Sequence, residues 1–305
     1  MRQLFLQIST LSLGVLSFLY LVFILNPIQV LSVLIYPFSP ERFRAINRWC
    51  ARSIWGIWVI MAEFKVKMAI NFRGDEIPQR ENAILVANHQ TMADILLLIC
   101  FAWRCRRLSD LKFFVKDALK YFPGVGWGMR FLDCVFVKRD WTKDRAQIDA
   151  LFSKFREKNI PIFLVSFLEG TRFRPKKLAA ARRFAESRSL HSPTHTLIPR
   201  TKGFVASMRG LSGHVDAVYD LTIAYPERVP SLLDCYRCRV PRIEVYVRRY
   251  DARALAELDD EGLSQWAFDR YKEKDLRLQR FQETQRLEGE LCLGSISIRE
   301  WFQAE

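Results

Sequence analysis

The sequence predicts an α/β fold, a mixed sheet flanked by helices, preceded by an N-terminal membrane-embedded helical segment. From residue 64 onward, short runs rich in apolar and β-branched residues alternate with helix-like segments, the pattern of a sheet covered by helices. Half of the 305 residues are hydrophobic, which is enough for a sizeable core. Between Arg2 and Glu41 no residue is charged, which separates this segment from the rest of the chain.

The uncharged N-terminal segment is long enough to cross a bilayer, since a spanning helix needs about 20 apolar residues. A cleaved signal peptide fits poorly, because the apolar stretch is too long and no small-x-small site ends it. Pro27 is expected to kink or split the segment. A full span and a re-entrant helical hairpin therefore both remain open. Arginines follow Glu41 closely, which favours the cytoplasmic side for the residues that come next.

A second apolar stretch, from Ile54 to Ala62, contains Trp55 and Trp58. It is too short to span a membrane. Its tryptophans suit a helix that lies in the membrane interface, but a helix in the core of the domain would show the same pattern. The sequence favours neither interpretation.

The alternation along the soluble part predicts the order of its strands and helices. The expected strands are 65–71, 83–87, 112–116, 134–138, 161–167, 196–199, 217–224 and 242–248. The expected helices are about 91–103, 123–132, 142–158, 177–188, 201–211 and 258–288. These elements divide the chain into an N-terminal anchor with an interfacial helix (1–63), an α/β domain (64–250) and a C-terminal helical extension (251–305).

The chain is strongly basic, with a formal net charge of +14. Residues 101–200 hold 22 Lys and Arg against 9 Asp and Glu. Such a field attracts the phosphates of a nucleic acid, an anionic lipid or a phosphorylated small molecule. The seven cysteines show no disulfide spacing, which indicates a reducing compartment. Cys235 and Cys238 form a lone C-x-x-C pair, a weak candidate for a metal or redox site, and two half-buried thiols are the simpler interpretation.

The strongest chemical signal lies after the predicted strand that ends near residue 87. Asn88 and His89 follow this strand directly, and Asp94 comes shortly afterwards. With His89 on a loop and Asp94 in the first turn of a helix, the carboxylate can hold one ring nitrogen and leave the other free as a general base. Alternatively, Thr91 and Asp94 form a helix-capping pair. Because the chain contains no G-x-S-x-G nucleophile motif, such a base would activate a hydroxyl of the substrate.

A second motif begins at Lys116, continues through Pro123 and Gly124, and closes with Lys138 and Arg139. Its glycine permits close approach of the backbone, and its cations follow strand ends. Taken alone, a solvated basic edge with a Pro-Gly turn explains it better than a binding site does.

A third motif follows an apolar strand and consists of Glu169, Gly170, Thr171 and Arg172. A guanidinium can hold a phosphate with two bonds, so Arg172 is a candidate phosphate ligand. Glu169 fits beside a phosphate only if it braces Arg172 or another cation. A surface turn with a salt bridge is the alternative. A fourth run, Leu197 to Gly203, joins a short apolar strand to two cations and is nearly uninformative alone.

Together the four motifs resemble those of the glycerolipid acyltransferases in order and spacing, most of all those of the 1-acyl-sn-glycerol-3-phosphate acyltransferases. The resemblance covers roughly residues 35–285. It extends to an Arg-rich insert after the third motif and to the strand Val218–Thr222. Leu168 stands where many members carry proline, a departure that leaves the functional side chains intact.

The resemblance implies a role for each matching residue. His89 corresponds to the general base and Asp94 to its orienting partner. The residues that surround the acceptor phosphate correspond to Glu169, Gly170, Thr171 and Arg172, with Lys116 and Arg139 assisting. It implies no metal and no cofactor besides the acyl donor.

The resemblance also implies a reaction: transfer of an acyl group from acyl-CoA or acyl-carrier protein to the 2-hydroxyl of lysophosphatidic acid, giving phosphatidic acid. Another lysophospholipid or glycerol 3-phosphate remains open as the acceptor. A membrane-tethered basic binding protein for nucleic acid or anionic lipid is a remote alternative. The expected partners are membrane lipids, lysophosphatidic acid and the acyl donor, without nucleic acid. The expected location is the bacterial inner membrane, with the catalytic domain on the cytoplasmic face.

Overall fold

The structure, a computed structural model, describes residues 2–138, 140–237, 239 and 242–294. Its strands are β1 (Ile70–Gly74), β2 (Ala83–Ala87), β3 (Leu111–Lys116), β4 (Val135–Val137), β5 (Phe163–Ser166), β6 (Ala217–Ala224), β7 (Ile243–Asp251) and β8 (Leu291–Leu293). Its α-helices are α1 (Arg2–Tyr20), α2 (Asn26–Ser32), α3 (Pro40–Ile60), α4 (Ala93–Arg104), α5 (Val125–Phe131), α6 (Trp141–Glu157), α7 (Pro175–Ser187), α8 (Thr201–Gly210), α9 (Leu232–Tyr236), α10 (Ala252–Ala256) and α11 (Asp260–Thr284).

The eight described strands form one mixed sheet in the order β4-β3-β5-β2-β6-β7-β1-β8. Strand β2 is parallel to both β5 and β6, and β3 is parallel to β4 and β5. The carboxyl ends of β2, β3, β5 and β6 therefore lie along one side of the sheet, called the carboxyl edge below. Strands β6 and β7 pair antiparallel, as do β1 and β8. The predicted mixed sheet flanked by helices is confirmed.

Two apolar clusters cover the two faces of this sheet. Residues of α3 and α4 pack on one face, together with residues of the N-terminal helix. Residues of α6, α8, α10 and α11 pack on the other. Because both faces are covered, the central strand β2 is buried along its whole length, as its unbroken apolar run predicts.

The apolar N-terminal segment is one helical run, in which α1 continues through a π-helical turn (Leu21–Leu25) into α2. The expected split at Pro27 is therefore wrong. The stretch Gln3–Ile35 is long and apolar enough to cross a membrane. Helix α3 returns alongside it, where Asn47 Nδ2 donates to Ser32 Oγ at 3.0 Å. Near the other end of α3, the indole of Trp58 donates to Ser17 Oγ.

The stretch that includes Trp55 lies at the end of α3 and packs into the core. Trp55 is only 4% exposed, and its ring centroid lies 6.4 Å from that of Phe113 on β3. Of the two interpretations that the sequence left open for this stretch, the structure places Trp55 in the core.

The element boundaries follow the sequence pattern closely in the centre of the sheet and less well elsewhere. Strands β2 and β6 have the predicted bounds. The predicted strand 196–199 is wrong: these residues, all of them described, form no strand. The backbone N–H of Thr196 is bound instead by the Asp275 carboxylate, and Pro199 has no N–H to give to a sheet. Strand β1 starts at Ile70, later than predicted, because a π-helical turn, Met61–Lys65, extends α3.

Candidate active site

The predicted site residues that the structure describes lie in the loops at the carboxyl edge. His89 follows β2, Glu169 to Arg172 follow β5, and Lys116 ends β3. The chain leaves β2 toward β3 on one side and later returns to β6 on the other. Such a change of direction opens a crevice at the carboxyl ends of the strands, the usual place for ligands in open α/β sheets.

His89 and Asp94 meet at the carboxyl edge. The Nδ1 atom of His89 lies 2.9 Å from Asp94 Oδ2. Helix α4 begins at Ala93, so Asp94 stands in its first turn while His89 stays on the preceding loop. In the tautomer in which Nδ1–H donates to Asp94, Nε2 is the proton acceptor. Within the described part of the chain, Nε2 of His89 has no hydrogen-bond partner, so a ligand can reach it.

Four donors surround the Asp94 carboxylate, which is wholly buried. Besides His89, the backbone N–H groups of Gln90 and Thr91 donate to Oδ2 at 2.7 and 2.9 Å. The hydroxyl of Tyr225, directly after β6, donates to Oδ1. Burial, together with the nearby Asp94 charge, raises the pKa of Tyr225 well above its usual value, so its hydroxyl keeps its proton. The bonds from Gln90 and Thr91 hold the loop just before α4, so Asp94 fixes the entry to the helix and also holds the imidazole.

The imidazole of His89 also lies against the ring of Phe167, with centroids 4.0 Å apart and planes 18° apart. Only 12% of the His89 side chain is exposed. The neighbouring Asn88 fixes the loop to β6, because its side-chain amide bonds to both the N–H and the carbonyl of Ile223. The ring therefore has a fixed orientation, with one nitrogen held and the other open.

The third motif separates into a buried part and an exposed part. Glu169 is 3% exposed, and neither of its oxygens has a hydrogen bond of good geometry among the described residues. Burial raises the pKa of Glu169 well above its usual value, although the backbone N–H groups of Leu197 and His89 offset part of this effect. Arg172 is exposed. The carboxylate of Glu169 forms no ion pair with Arg172 in the described structure, and the cation whose charge acts on it is the buried Lys274.

Gly170 permits close packing between the third and fourth motifs. Its φ of +66° lies in the left-handed region, and a Cβ there would stand 3.2 Å from Cδ of Arg200. The backbone N–H of Arg200 donates to the carbonyl of Leu168 at 2.7 Å. Arg200 therefore lies over the turn that carries Arg172, and both side chains are exposed. Arg200 was not among the predicted site residues. The sequence indicated it only through the position of the fourth run after the third motif.

The second motif lies on the same edge but farther from His89. Lys116 is exposed at the end of β3, two strands from β2. The turn at Gly124 (φ +83°) is held by Asn26 of the N-terminal helix, whose side chain binds both the N–H and the carbonyl of Gly124. Arg139 lies outside the described residues, as does Cys238 of the C-x-x-C pair.

The arrangement fits proton abstraction from a hydroxyl beside an anionic group. A carboxylate-held imidazole offers Nε2 as the base, while the guanidinium groups of Arg172 and Arg200 supply positive charge on the same edge. Such charges suit the binding of a phosphate.

Comparison with known proteins identifies the family. The "Acyltransferase" family model matches residues 69–225, and the "Acyltransferase C-terminus" model matches residues 232–295. The chain is 35% identical to 1-acyl-sn-glycerol-3-phosphate acyltransferase 3 of Arabidopsis thaliana, over 85% of this chain and 70% of that protein. It is 33% identical to lysocardiolipin acyltransferase 1 of Danio rerio, over 86% and 68%.

A solved structure shares the fold. The 1-acyl-sn-glycerophosphate (LPA) acyltransferase PlsC of Thermotoga maritima aligns with a TM-score of 0.53 and 17% identity, covering 92% of this chain and 99% of that one.

Proposed function

This chain belongs to the 1-acyl-sn-glycerol-3-phosphate acyltransferase family, and we propose that it transfers a fatty acyl group from a thioester to the 2-hydroxyl of lysophosphatidic acid. Phosphatidic acid and a free thiol are the products. The observation that carries the proposal is the His89–Asp94 pair, 2.9 Å apart, whose Nε2 at the carboxyl edge has no hydrogen-bond partner among the described residues. The names of the relatives support this choice of acceptor.

In the proposed reaction, Nε2 of His89 takes the proton of the acceptor hydroxyl as that oxygen attacks the thioester carbonyl. The carbon–sulfur bond of the tetrahedral intermediate then breaks, and the leaving thiolate takes the proton back from the imidazolium. Asp94 stabilises the imidazolium and keeps the ring in the productive tautomer. The cycle therefore needs no nucleophile from the protein.

Arg172 and Arg200 are the proposed ligands of the acceptor phosphate. Both are exposed; Arg200 lies over Gly170, and Arg172 follows on the same turn, beside the loop of His89. The peptide N–H of Phe173 donates to the carbonyl of His89 at 2.7 Å, which ties the arginine-bearing turn to the base. We propose only an assisting role for Lys116 and Arg139, and the same holds for Glu169, Gly170 and Thr171, which shape this turn.

The proposed location is the bacterial inner membrane, with the catalytic domain on the cytoplasmic face. The chain is membrane-associated, and the apolar helix Gln3–Ile35 would keep the enzyme beside a lipid acceptor whose tail stays in the bilayer. The arginines of α3 after this segment support the cytoplasmic orientation. Acyl-CoA and acyl-carrier protein are both open as the donor.

A second acceptor class is a lysophospholipid with a larger head group. The relative named lysocardiolipin acyltransferase favours it. Two arginines that are both exposed also leave room for a substituted phosphate.

The test is a radiolabelled acyl-transfer assay with purified protein. The acceptors are lysophosphatidic acid, monolysocardiolipin and glycerol 3-phosphate, each with oleoyl-CoA and with oleoyl-acyl-carrier protein. We expect the highest kcat/KM for lysophosphatidic acid and a loss of about 10² to 10⁴ in kcat for the His89→Ala variant. A preference of tenfold or more for monolysocardiolipin would identify that lipid as the acceptor, and a His89→Ala variant that keeps tens of per cent of wild-type activity would overturn the mechanism.

A further inference from the structure

Helix α11 carries a buried cation to the carboxyl edge. Lys274 has no exposed surface. Its ammonium donates to the carbonyl of Leu221 at 2.8 Å and more weakly to that of Val86 at 3.4 Å. It also forms an ion pair with Asp220 of β6, which is nearly as deeply buried.

The two carbonyls belong to neighbouring parallel strands, close to where both strands end. Val86 lies in β2 three residues before His89, and Leu221 lies in β6 four residues before Tyr225. One ammonium therefore bridges the strand that leads to the base and the strand that leads to the tyrosine bound to Asp94. One turn earlier on α11, the hydroxyl of Tyr271 donates to the carbonyl of Ala87 at 3.0 Å.

The burial of the Lys274 ammonium requires an explanation. An ammonium removed from water is costly unless it is paired and hydrogen-bonded, and an apolar pair of similar volume is often as stable. The rest of this face is apolar where α11 crosses it earlier, at Leu263 and Ala267. The polar contacts of α11 with β2 begin at Tyr271, at the end of that strand; one residue earlier, Arg270 donates to the hydroxyl of Tyr250 on β7.

We propose that Lys274, paired with Asp220 and aided by Tyr271, is a positioning residue that fixes the ends of β2 and β6 so that His89 and Asp94 keep their catalytic geometry. The C-terminal region is then part of the catalytic apparatus, although it supplies no group to the substrate. This inference rests on the proposed function for its kinetic test.

The decisive variant is the double change Asp220→Asn with Lys274→Met, which removes both charges of the ion pair together. Lys274→Met alone would strand the Asp220 carboxylate and risks a failure to fold. The matched control is Glu63→Gln with Arg104→Met. That ion pair is also buried, with side chains 7% and 4% exposed, but it lies at the opposite end of α4 from Asp94.

We expect the Asp220/Lys274 double variant to lose tenfold or more in kcat, with both KM values within about twofold of wild type. The control should keep kcat within twofold at a comparable loss of melting temperature. Hydrogen exchange followed by mass spectrometry should show faster exchange in the peptide 84–92 of the double variant alone. The exchange measurement does not depend on the identity of the acceptor.

A double variant with kcat within twofold of wild type, or equal losses in the variant and the control, would overturn the positioning role. Unchanged exchange in the peptide 84–92 would also overturn it. Absence of transfer to lysophosphatidic acid by the unaltered protein would instead count against the proposed function, and the exchange measurement would still decide the role of Lys274.

Discussion

Helices α4 and α11 cover opposite faces of the sheet, and each brings different polar side chains to the carboxyl edge. Helix α4 is apolar along the sheet and brings one carboxylate, Asp94, in its first turn. Helix α11 buries Tyr271, Lys274 and Asp275. Asp94 meets His89 five residues away, whereas Lys274 meets Leu221 at a separation of 53 residues. The base is thus held by a residue close in sequence, whereas the strand that leads to it is held by a residue remote in sequence.

The largest effect is expected on the α4 side, from His89→Ala. Removal of the base should lower kcat by about 10² to 10⁴, while the fold persists because His89 lies on a loop. Acyl transfer and the thermal melt of the purified variant are the measurements. A variant that keeps tens of per cent of wild-type activity would show that His89 is not the base.

The second largest effect is expected from Asp94→Asn, with a loss of about 10² or more in kcat. Asparagine can accept through only one side-chain oxygen, so some of the four donors around Asp94 lose their acceptor, and the imidazolium loses its counter-charge. If Asp94 served only as a helix cap, asparagine would replace it almost without loss. Assays of kcat together with melting temperatures therefore separate the two roles.

Arg172→Lys should act on the acceptor rather than on the base. An ammonium keeps the charge but cannot bind two phosphate oxygens in a planar fork. We expect the KM for lysophosphatidic acid to rise by about tenfold, roughly 1.4 kcal/mol, with little change in the KM for the thioester. An equal rise in both KM values would point to a structural role for Arg172.

Two tyrosine variants compare the faces directly, since each loses one hydroxyl. Tyr225→Phe removes a donor to a carboxylate, a bond of about 1.5–3 kcal/mol, whereas Tyr271→Phe removes a donor to a neutral carbonyl, a bond of about 0.5–1.5 kcal/mol. We therefore expect about a tenfold loss of kcat for Tyr225→Phe and about threefold for Tyr271→Phe. The opposite order would mean that the α11 side controls the base more tightly than Asp94 does.

The smallest effect is one of stability, at Glu169. Burial raises the pKa of Glu169 in the fold above its unfolded value of about 4.3. The protonated group therefore contributes its full stability below pH 4.3, and this contribution is lost as the pH rises through the folded-state pKa. Glu169→Gln, neutral at every pH, should match wild type near pH 4 and melt higher at pH 8, by roughly 2–4 °C for each kcal/mol. Thermal melts of both proteins at both pH values test this. A Glu169→Gln variant that melts below wild type at pH 8 would contradict the prediction.

Asp275 shows why the loop before Arg200 escaped prediction. Burial alone would raise the pKa of Asp275, but donors from His191 and from the backbone of residues 194–196 outweigh it and hold this pKa below its usual value. The carboxylate thus binds the backbone N–H of Thr196, the first residue of the predicted strand, and those of Thr194 and His195 before it. The apolar pattern of that stretch was real, but a side chain some 80 residues away decided its conformation.

The sequence by itself determined the alternation of strands and helices, the bounds of β2 and β6, the apolar N-terminal helix and the local pair His89–Asp94. These depend on periodicity and on groups a few residues apart, which the backbone geometry alone brings together. Only the tertiary structure decided that Tyr225 binds Asp94, that Arg200 lies over Gly170 and that Lys274 bridges β2 and β6. Those contacts join groups remote in sequence, and the packing of helices on the sheet sets their distances, which no local pattern encodes.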